Sequence, residues 1–111
     1  MSIIKTIPIQ RRINGALVVA SETSVISESD YITTGEECII VRGPFETVIT
    51  LDSKTTEHTV IKALTKITIK PDIGKIDEEF DEIVADKGAC IEFRCVERNW
   101  YILSSDGLKQ S

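Results

Sequence analysis

The sequence predicts an all-β fold, a small antiparallel β-barrel or β-sandwich of about seven short strands with an extended N-terminal arm or hairpin. Of the 111 residues, 37 are Ile, Val or Thr, against 5 Leu and 5 Ala. β-Branched side chains pack well on a pleated sheet but lose freedom in a helix. Apolar and polar residues also alternate in several short runs, as in strands with one buried face. A chain of this length has room for one hydrophobic core.

Residues 1–30 are predicted to form an arm or hairpin followed by a connector. Asn14-Gly15 lies between the candidate strands Ile7–Ile13 and Ala16–Ala20. Asn-Gly between two β-rich runs is a strong hairpin signal. The same residues could instead form an extended arm that pairs with another surface, and this alternative stays open. Ser21–Asp30 is rich in Ser and acidic residues and is predicted to be a polar connector.

The predicted β-domain, residues 31–111, contains the strand signals in closer succession. Each candidate strand is a short β-branched or alternating run that is bounded by turn residues. These candidates are 38–41, 47–51, 58–64, 66–70, 89–96 and 100–103. The polar residues 104–111 are predicted to form a tail.

The segment 76–84 is ambiguous between helix and strand. Ile76, Phe80, Ile83 and Val84 recur at helical spacing. Ile76, Phe80 and Val84 would also share one face of an extended strand. Periodicity alone leaves both structures open for this segment.

The charge of the chain excludes several classes of partner. Thirteen basic and 18 acidic residues give a net charge of −5. Nucleic-acid binding relies on clustered basic residues, so we expect no nucleic-acid partner.

No apolar run approaches the roughly 20 residues that span a bilayer, so we expect no membrane partner. Lys5 and Pro8 interrupt any apolar signal segment near the N-terminus, and we expect synthesis in a cytoplasm.

Residue types that carry catalysis or bind metals are sparse. His58 is the single histidine, and no hydrolase, zinc or phosphate-binding motif accompanies it. The acidic run 77–82 lacks the ligand order of a calcium loop, which favours a solvated turn. We therefore expect no enzyme activity, no catalytic residue, no cofactor and no metal site.

The three cysteines are Cys38, Cys90 and Cys95. An odd number leaves at least one thiol unpaired within the chain. Cys90 and Cys95 are five residues apart and would point to opposite faces of a regular strand. Free thiols that are buried or half-buried are the main expectation, and disulfide bonds between subunits are the alternative.

The order of the motifs along the chain carries a family resemblance. The matching segments, in sequence order, are 38–42, Thr47–Leu51, 59–64, Ile67–Pro71, Ile76-Asp77, 88–93 and Asn99–Leu103. This order resembles the small β-domain of tailed-bacteriophage virion proteins, which include capsid decoration proteins, head fibres and tail-fibre modules. The resemblance covers about residues 31–107. Two positions depart from it, because Glu78 and Glu97-Arg98 stand where the family commonly has glycine.

The resemblance implies a non-enzymatic structural protein of a phage virion. The function it implies first is that of a capsid decoration (cement) protein, which binds the major capsid protein. Such a protein is made in the host cytoplasm and is located on the capsid surface. The family also implies a homotrimer, which suits a 12.3 kDa chain with a small core and exposed strand edges. The alternative is a head-fibre or tail-fibre module, attached to a tail protein, that binds a glycan or a receptor.

Two groups of residues are the expected contacts in this interpretation. Those expected to contact the capsid or a neighbouring subunit are Ile3, Ile4, Ile7, Ile9, Arg11 and Arg12. The possible intersubunit thiols are Cys38, Cys90 and Cys95.

Overall fold

The computed structural model describes residues 5–13 and 16–109, with side chains described for residues 22–106. The described chain is all-β and contains no helix, which confirms the predicted fold class at that level. The strands are β1 (Lys5–Ile13), β2 (Ala16–Ile26), β3 (Asp30–Ile32), β4 (Cys38–Val41), β5 (Thr47–Leu51), β6 (His58–Ala63), β7 (Ile67–Pro71), β8 (Ile83–Val96) and β9 (Asn99–Lys109).

The central strands form two walls that the chain visits in alternation. β2, β4 and β6 lie side by side as the first wall, and Thr23, Cys38 and Val60 are aligned across it. β3, β5 and β7 lie side by side as the second wall, where Asp30 and Val48 are aligned. The chain passes from the first wall to the second and back, so each consecutive pair of strands makes one turn of a coil.

The prediction of an antiparallel sheet is wrong, because the sheet is mixed. Among the described residues, the four pairings within the two walls are parallel and the other four are antiparallel. Parallel neighbours need a long crossover connection, which is usually a helix. In this chain a strand of the opposite wall serves as the crossover, so parallel pairing arises without any helix.

β8 closes one end of the coil. Its C-terminal half pairs with β6 and its N-terminal end pairs with β7, both antiparallel, so one strand joins the two walls. β9 then pairs with β8 along most of its length. The strand order β1-β2-β4-β6-β8-β7-β5-β3 leaves β1 and β3 as edges of the described sheet. The result is a curled half-barrel rather than a closed barrel.

The hydrophobic core fills the space between the walls and under β8. Alternate residues of each strand point inward, and this gives the burial pattern of β5 and β6 its strict period of two. The fully buried centre is dominated by isoleucine, with Trp100 and Phe93 as its largest side chains. The remaining large members are Ile26, Ile39, Ile49, Leu51, Ile61, Ile67, Ile69, Ile76, Ile91 and Val41.

The predicted N-terminal hairpin is confirmed by the pairing of β1 with β2. The prediction of a polar connector is wrong for residues 21–26, because β2 continues through them and pairs with β4. Ser24 and Ile26 are buried there, so this segment has an inward-facing row of residues although its composition is largely polar. Residues 10–13 and 16–19 pair with each other beyond the part of β2 that contacts β4, and they extend the hairpin as a two-stranded ribbon.

The ambiguous segment forms a tight turn rather than a helix. The Phe80 N–H donates to the Ile76 carbonyl at 2.9 Å, and Ile76 also bridges to Trp100. Asp77 and Glu78 have left-handed φ angles of 53° and 60°, a conformation that no helix or strand uses. Ile83 already belongs to β8.

The prediction of a polar C-terminal tail is wrong for residues 104–109, because these residues belong to β9.

Candidate functional site

The described residues form an open polar groove of about 530 Å³ where β4 and β6 begin. Its lining consists of charged, hydroxyl-bearing and backbone groups with one imidazole, and it contains no Phe, Tyr or Trp. The lining residues are Gly35, Glu37, Ser53, Lys54, Thr55, Glu57, His58 and Arg94. Two turns and two strands meet here. Gly35 and Glu37 precede β4 and Ser53–Glu57 precede β6, while His58 belongs to β6 and Arg94 to β8.

Two buried threonines hold the turns of the groove together. The Thr56 hydroxyl donates to the Thr33 hydroxyl at 2.8 Å and accepts from the Gly35 N–H at 3.0 Å. The Thr33 hydroxyl also accepts from the Asp52 N–H at 2.9 Å. Gly35 has φ of +100°, and a β-carbon there would lie 3.0 Å from the Thr55 carbonyl oxygen. Only glycine suits this close approach, so one wall of the groove is fixed by packing and hydrogen bonds.

A buried carboxylate fixes the turn that leads into β4. Glu36 is 4% exposed, accepts from the Thr34 N–H at 2.7 Å, and accepts a short hydrogen bond from the Tyr31 hydroxyl. The pKa of Tyr31 is raised to about 12, mainly because the side chain is buried and secondly because its hydroxyl donates this hydrogen bond to Glu36. The pair is a structural brace, because its polar atoms are turned to each other and not into the groove.

His58 contacts the neighbouring strand at the rim of the groove. Its Nε2 lies 2.6 Å from Oε2 of Glu92, and the Ser104 hydroxyl donates to the other carboxylate oxygen at 3.1 Å. The pKa of Glu92 is lowered, mainly by its hydrogen bond with His58 and secondly by its hydrogen bond with Ser104. A base oriented by a carboxylate can assist nucleophilic catalysis. No cysteine lines the groove, and its hydroxyl groups come from Thr55 and from Ser53, which donates to Asp72 at 2.9 Å.

The groove can bind polar groups through charges of both signs. Lys54 and Arg94 have no ion pair among the described side chains, and Glu37 and Glu57 line the same groove. Such a surface can hydrogen-bond the hydroxyl groups of a small polar ligand. It offers no apolar or aromatic platform, so its binding chemistry is limited to hydrogen bonds and charge.

The acidic run lies on the tight turn after β7, with its carboxylates exposed to solvent. Asp77 Oδ1 accepts from the Ile102 N–H at 2.9 Å, and Glu78 Oε2 accepts from the Tyr101 hydroxyl at 2.9 Å. Asp81 forms an ion pair with Lys75 at 2.6 Å. Within the described part of the chain, no three His, Cys, Asp or Glu side chains are grouped to hold a metal. Asp77 and Glu78 therefore anchor the turn to β9, and Asp81 is paired with Lys75 at the exposed surface.

The thiols lie on two different sides of the sheet. Cys38 and Cys90 occupy outward positions on β4 and β8, and their neighbours along each strand are buried. Cys95 packs against the core beside Trp100, its partner across β8 and β9. All three are free and half-buried. Burial raises the pKa of both Cys38 and Cys95, which keeps them as thiols at neutral pH.

The residues expected to contact the capsid fall partly outside the described chain. Ile3 and Ile4 lie outside the described residues. Ile7, Ile9, Arg11 and Arg12 lie on β1, at the edge of the described sheet. An edge strand has an unpaired row of backbone groups that can pair with another chain.

Sequence reasoning missed two groups of residues. Lys54 and Arg94 gave no signal, because they reach one groove only through the pairing of β6 with β8. Val25, Ile40 and Val60 share the outward side of the first wall, and their alternation with buried residues was the available signal. Which of those half-exposed residues lie together depends on strand order, which alternation does not reveal.

A scan against protein-family models, a search of curated proteins and a search of solved structures found no match to this chain. The described residues include no helix of the length and apolarity that a membrane crossing demands.

Proposed function

We propose that this chain is a non-enzymatic structural protein of a phage virion, a homotrimeric decoration protein that binds the assembled capsid through its N-terminal hairpin. The proposal builds on the order of motifs over residues 31–107, which resembles that of phage virion β-domains. It places the protein on the capsid surface, with the major capsid protein as its partner.

The backbone at the two departures from the family pattern is the observation that carries the proposal. Glu78, Glu97 and Arg98 stand where those domains commonly have glycine, and all three have positive φ angles, of 60°, 52° and 66°. Glycine is the residue that adopts this conformation without steric cost. The chain thus keeps a glycine-type backbone where the family pattern calls for one, which supports the resemblance beyond its short sequence motifs.

The projecting hairpin provides the second support. β1 is an edge strand, and the ribbon of residues 10–13 and 16–19 extends beyond the walls. An isolated two-stranded ribbon is marginal in water, so contact with another surface would stabilise it. Arg11 and Arg12 on this ribbon would suit an acidic surface.

The mechanism of decoration is thermodynamic linkage. A protein that binds only the assembled lattice stabilises that lattice against its other states. At a free concentration one hundred times the dissociation constant, each occupied site contributes about 2.7 kcal/mol. Many sites on one shell add together, so even a small domain can stabilise a capsid without any catalytic group.

Co-sedimentation with purified capsids of the encoding phage tests the proposal. The wild-type chain is expected to sediment with capsids and not with the unassembled major capsid protein. The variant R11E/R12E is expected to lose capsid binding, because it reverses both charges of the ribbon. The matched control K66E/K70E makes the same change in net charge at two exposed positions near and on β7, and it is expected to bind normally.

Two results would contradict the proposal. A wild-type chain that leaves capsids undecorated rules out the decoration function, and equal binding by both charge variants rules out the hairpin as the contact. A strict monomer at micromolar concentration in sedimentation equilibrium would contradict the trimer.

The polar groove favours a second candidate function, a head-fibre or tail-fibre module that binds a host-surface glycan. Lys54 and Arg94 could hydrogen-bond sugar hydroxyl groups or pair with acidic sugars. Binding to host surface polysaccharide that is abolished in Arg94→Ala, with no binding to capsids, would select this function over decoration.

A further inference from the structure

We infer that the polar groove binds a singly charged anion that also carries several hydroxyl groups, as a sugar acid does. The inference rests on the second candidate function, glycan binding, and deepens it by naming the class of ligand. It is independent of capsid decoration, because none of the lining residues that the structure describes belongs to the N-terminal hairpin.

Four charged side chains of the groove have no partner within the chain. Lys54 and Arg94 are the cations, Glu37 and Glu57 are the carboxylates, and all four are exposed. Among the described side chains, none of the four forms an ion pair or a side-chain hydrogen bond. A ligand that presents an anion to the cations and hydroxyl groups to the carboxylates satisfies all four. The lining therefore favours both features in one molecule.

Arg94 is the residue that distinguishes a carboxylate ligand from a neutral one. It is aligned with His58 across β6 and β8, so the two side chains lie on the same face of the sheet. The His58 imidazole is already held by Glu92 at 2.6 Å, whereas the guanidinium of Arg94 is free to bind a ligand. Its planar fork of N–H donors matches the two oxygens of a carboxylate.

The backbone of the groove disfavours a phosphate ligand. Phosphate sites are commonly built from free backbone N–H groups at a turn or at the start of a helix. Here the N–H groups of residues 53–55 donate to Asp72 at 3.1 Å and to the side chain and carbonyl of Asp52 at 2.9 and 3.3 Å. The Gly35 N–H donates to Thr56. With these donors used and two carboxylates in the lining, a singly charged anion suits the groove better than a dianion.

The two carboxylates extend from fixed backbone positions. The Glu37 carbonyl accepts from the Val60 N–H, and the Glu57 carbonyl accepts from the Cys95 N–H, each at 2.8 Å. Binding then orders side chains alone, which limits its entropic cost. The volume of about 530 Å³ lies in the range of small-molecule sites. Because exposed ion pairs gain little free energy in water, we expect a dissociation constant in the millimolar range.

Titration of the isotope-labelled full-length protein with sodium glucuronate, followed by its amide NMR signals, tests the inference. Glucose lacks the carboxylate of glucuronate, and acetate lacks its hydroxyl groups, so these are the matched ligands. Glucuronate is expected to give saturable shifts at the groove and to bind at least tenfold more tightly than glucose or acetate. Inorganic phosphate is expected to bind more weakly than glucuronate.

A pair of arginine variants assigns the binding to the groove. Arg94→Gln is expected to weaken glucuronate binding at least fivefold, because it removes the guanidinium that pairs with the carboxylate. Arg42→Gln is the matched control, since Arg42 is an exposed arginine that follows the far end of β4 and does not line the groove. It is expected to bind glucuronate like wild type. Glucuronate binding by Arg94→Gln at wild-type strength would overturn the inference.

Three results with the wild-type chain would also overturn it. These are the absence of a saturable shift with glucuronate, equal affinity for glucuronate and acetate, and tighter binding of phosphate than of glucuronate. None of these measurements contains capsids, so each leaves decoration standing. Glucuronate binding that depends on Arg94, in a chain that does not bind host polysaccharide, would support the site and refute the fibre function alone.

Discussion

The hairpin turn between β8 and β9 predicts that Arg98→Gly raises the stability of the protein. Val96 and Asn99 are paired, so Glu97 and Arg98 form a two-residue turn in which both φ angles are positive. This is the geometry of a type I′ turn, which strongly prefers Asn-Gly. Glu97 and Arg98 both have a β-carbon, and residues with a β-carbon disfavour the left-handed conformation that this turn requires.

The size of the effect follows from two opposing contributions. A residue with a β-carbon loses roughly 1–2 kcal/mol in the left-handed region. Glycine removes that strain but increases the entropy of the unfolded chain, which offsets about 0.4–1 kcal/mol. The difference between the two ranges is centred near about 0.8 kcal/mol and reaches at most about 1.6 kcal/mol, so Arg98→Gly is expected to raise the free energy of unfolding by about 0.8 kcal/mol. A change of 1 kcal/mol shifts Tm by roughly 4–8 °C in a domain of 60–100 residues.

Thermal unfolding followed by circular dichroism, together with urea titration, measures this difference. Arg98→Ala removes the same charge but keeps the β-carbon, so its stability is expected to stay near that of wild type. Arg42→Gly makes the same substitution at an exposed position that lacks a left-handed φ angle, and it is expected to destabilise by about 0.5–1 kcal/mol. If Arg98→Gly is no more stable than Arg98→Ala, the argument from backbone strain fails.

The remaining predictions concern the buried brace and the core. Because the pKa of Tyr31 is raised to about 12 in the folded state, its stabilising contribution is complete below about pH 10 and is lost as the pH rises through about 12. Ultraviolet titration of tyrosinate should show a step near pH 12 that disappears in Tyr31→Phe, and an unchanged titration would contradict the assignment. Ile61 is fully buried in the first wall, so Ile61→Ala is expected to lose about 2–5 kcal/mol and Ile61→Val about 0.5–1.5 kcal/mol. Urea unfolding measures both, with the outward Lys62→Ala expected to change stability by less than either, and equal losses at residues 61 and 62 would contradict the assigned faces.

Strand positions could be predicted because burial has a period of two. In Thr47–Leu51 and over residues 67–70 the inward residues are buried and the outward ones are less so. Parallel pairing could not be predicted from the same pattern. Parallel strands usually read as continuous apolar runs, because helices cover both faces of their sheet. Among the described residues no helix covers the outer sides of these strands, so the parallel strands alternate as antiparallel ones do.

The errors at the two ends of the chain have one physical cause. Ser21–Ile26 and residues 104–109 are polar enough to suggest a connector and a tail, yet both are strands. Residues 21–26 gain hydrogen bonds from β1 and β4, and residues 104–109 gain theirs from β8, the strand that precedes the Glu97-Arg98 turn. Strand pairing overrides local composition in both cases, and composition is what a single sequence displays. The polar groove depends on the pairing of β6 with β8, which joins residues far apart in the chain, so sequence reasoning did not find Arg94.

The position of β8 has a consequence for the synthesis of the protein. Within the described chain, β8 alone is hydrogen-bonded to both walls, and Phe93 and Trp100 add the two largest side chains of the core. While the ribosome is still translating residues before Ile83, the nascent chain can form the strands of the two walls, but β8 is not yet available to pair with both walls. Its apolar interior stays accessible to chaperones and to other nascent chains until the last quarter has emerged. The fold is therefore completed late, in a single closing event near the end of translation.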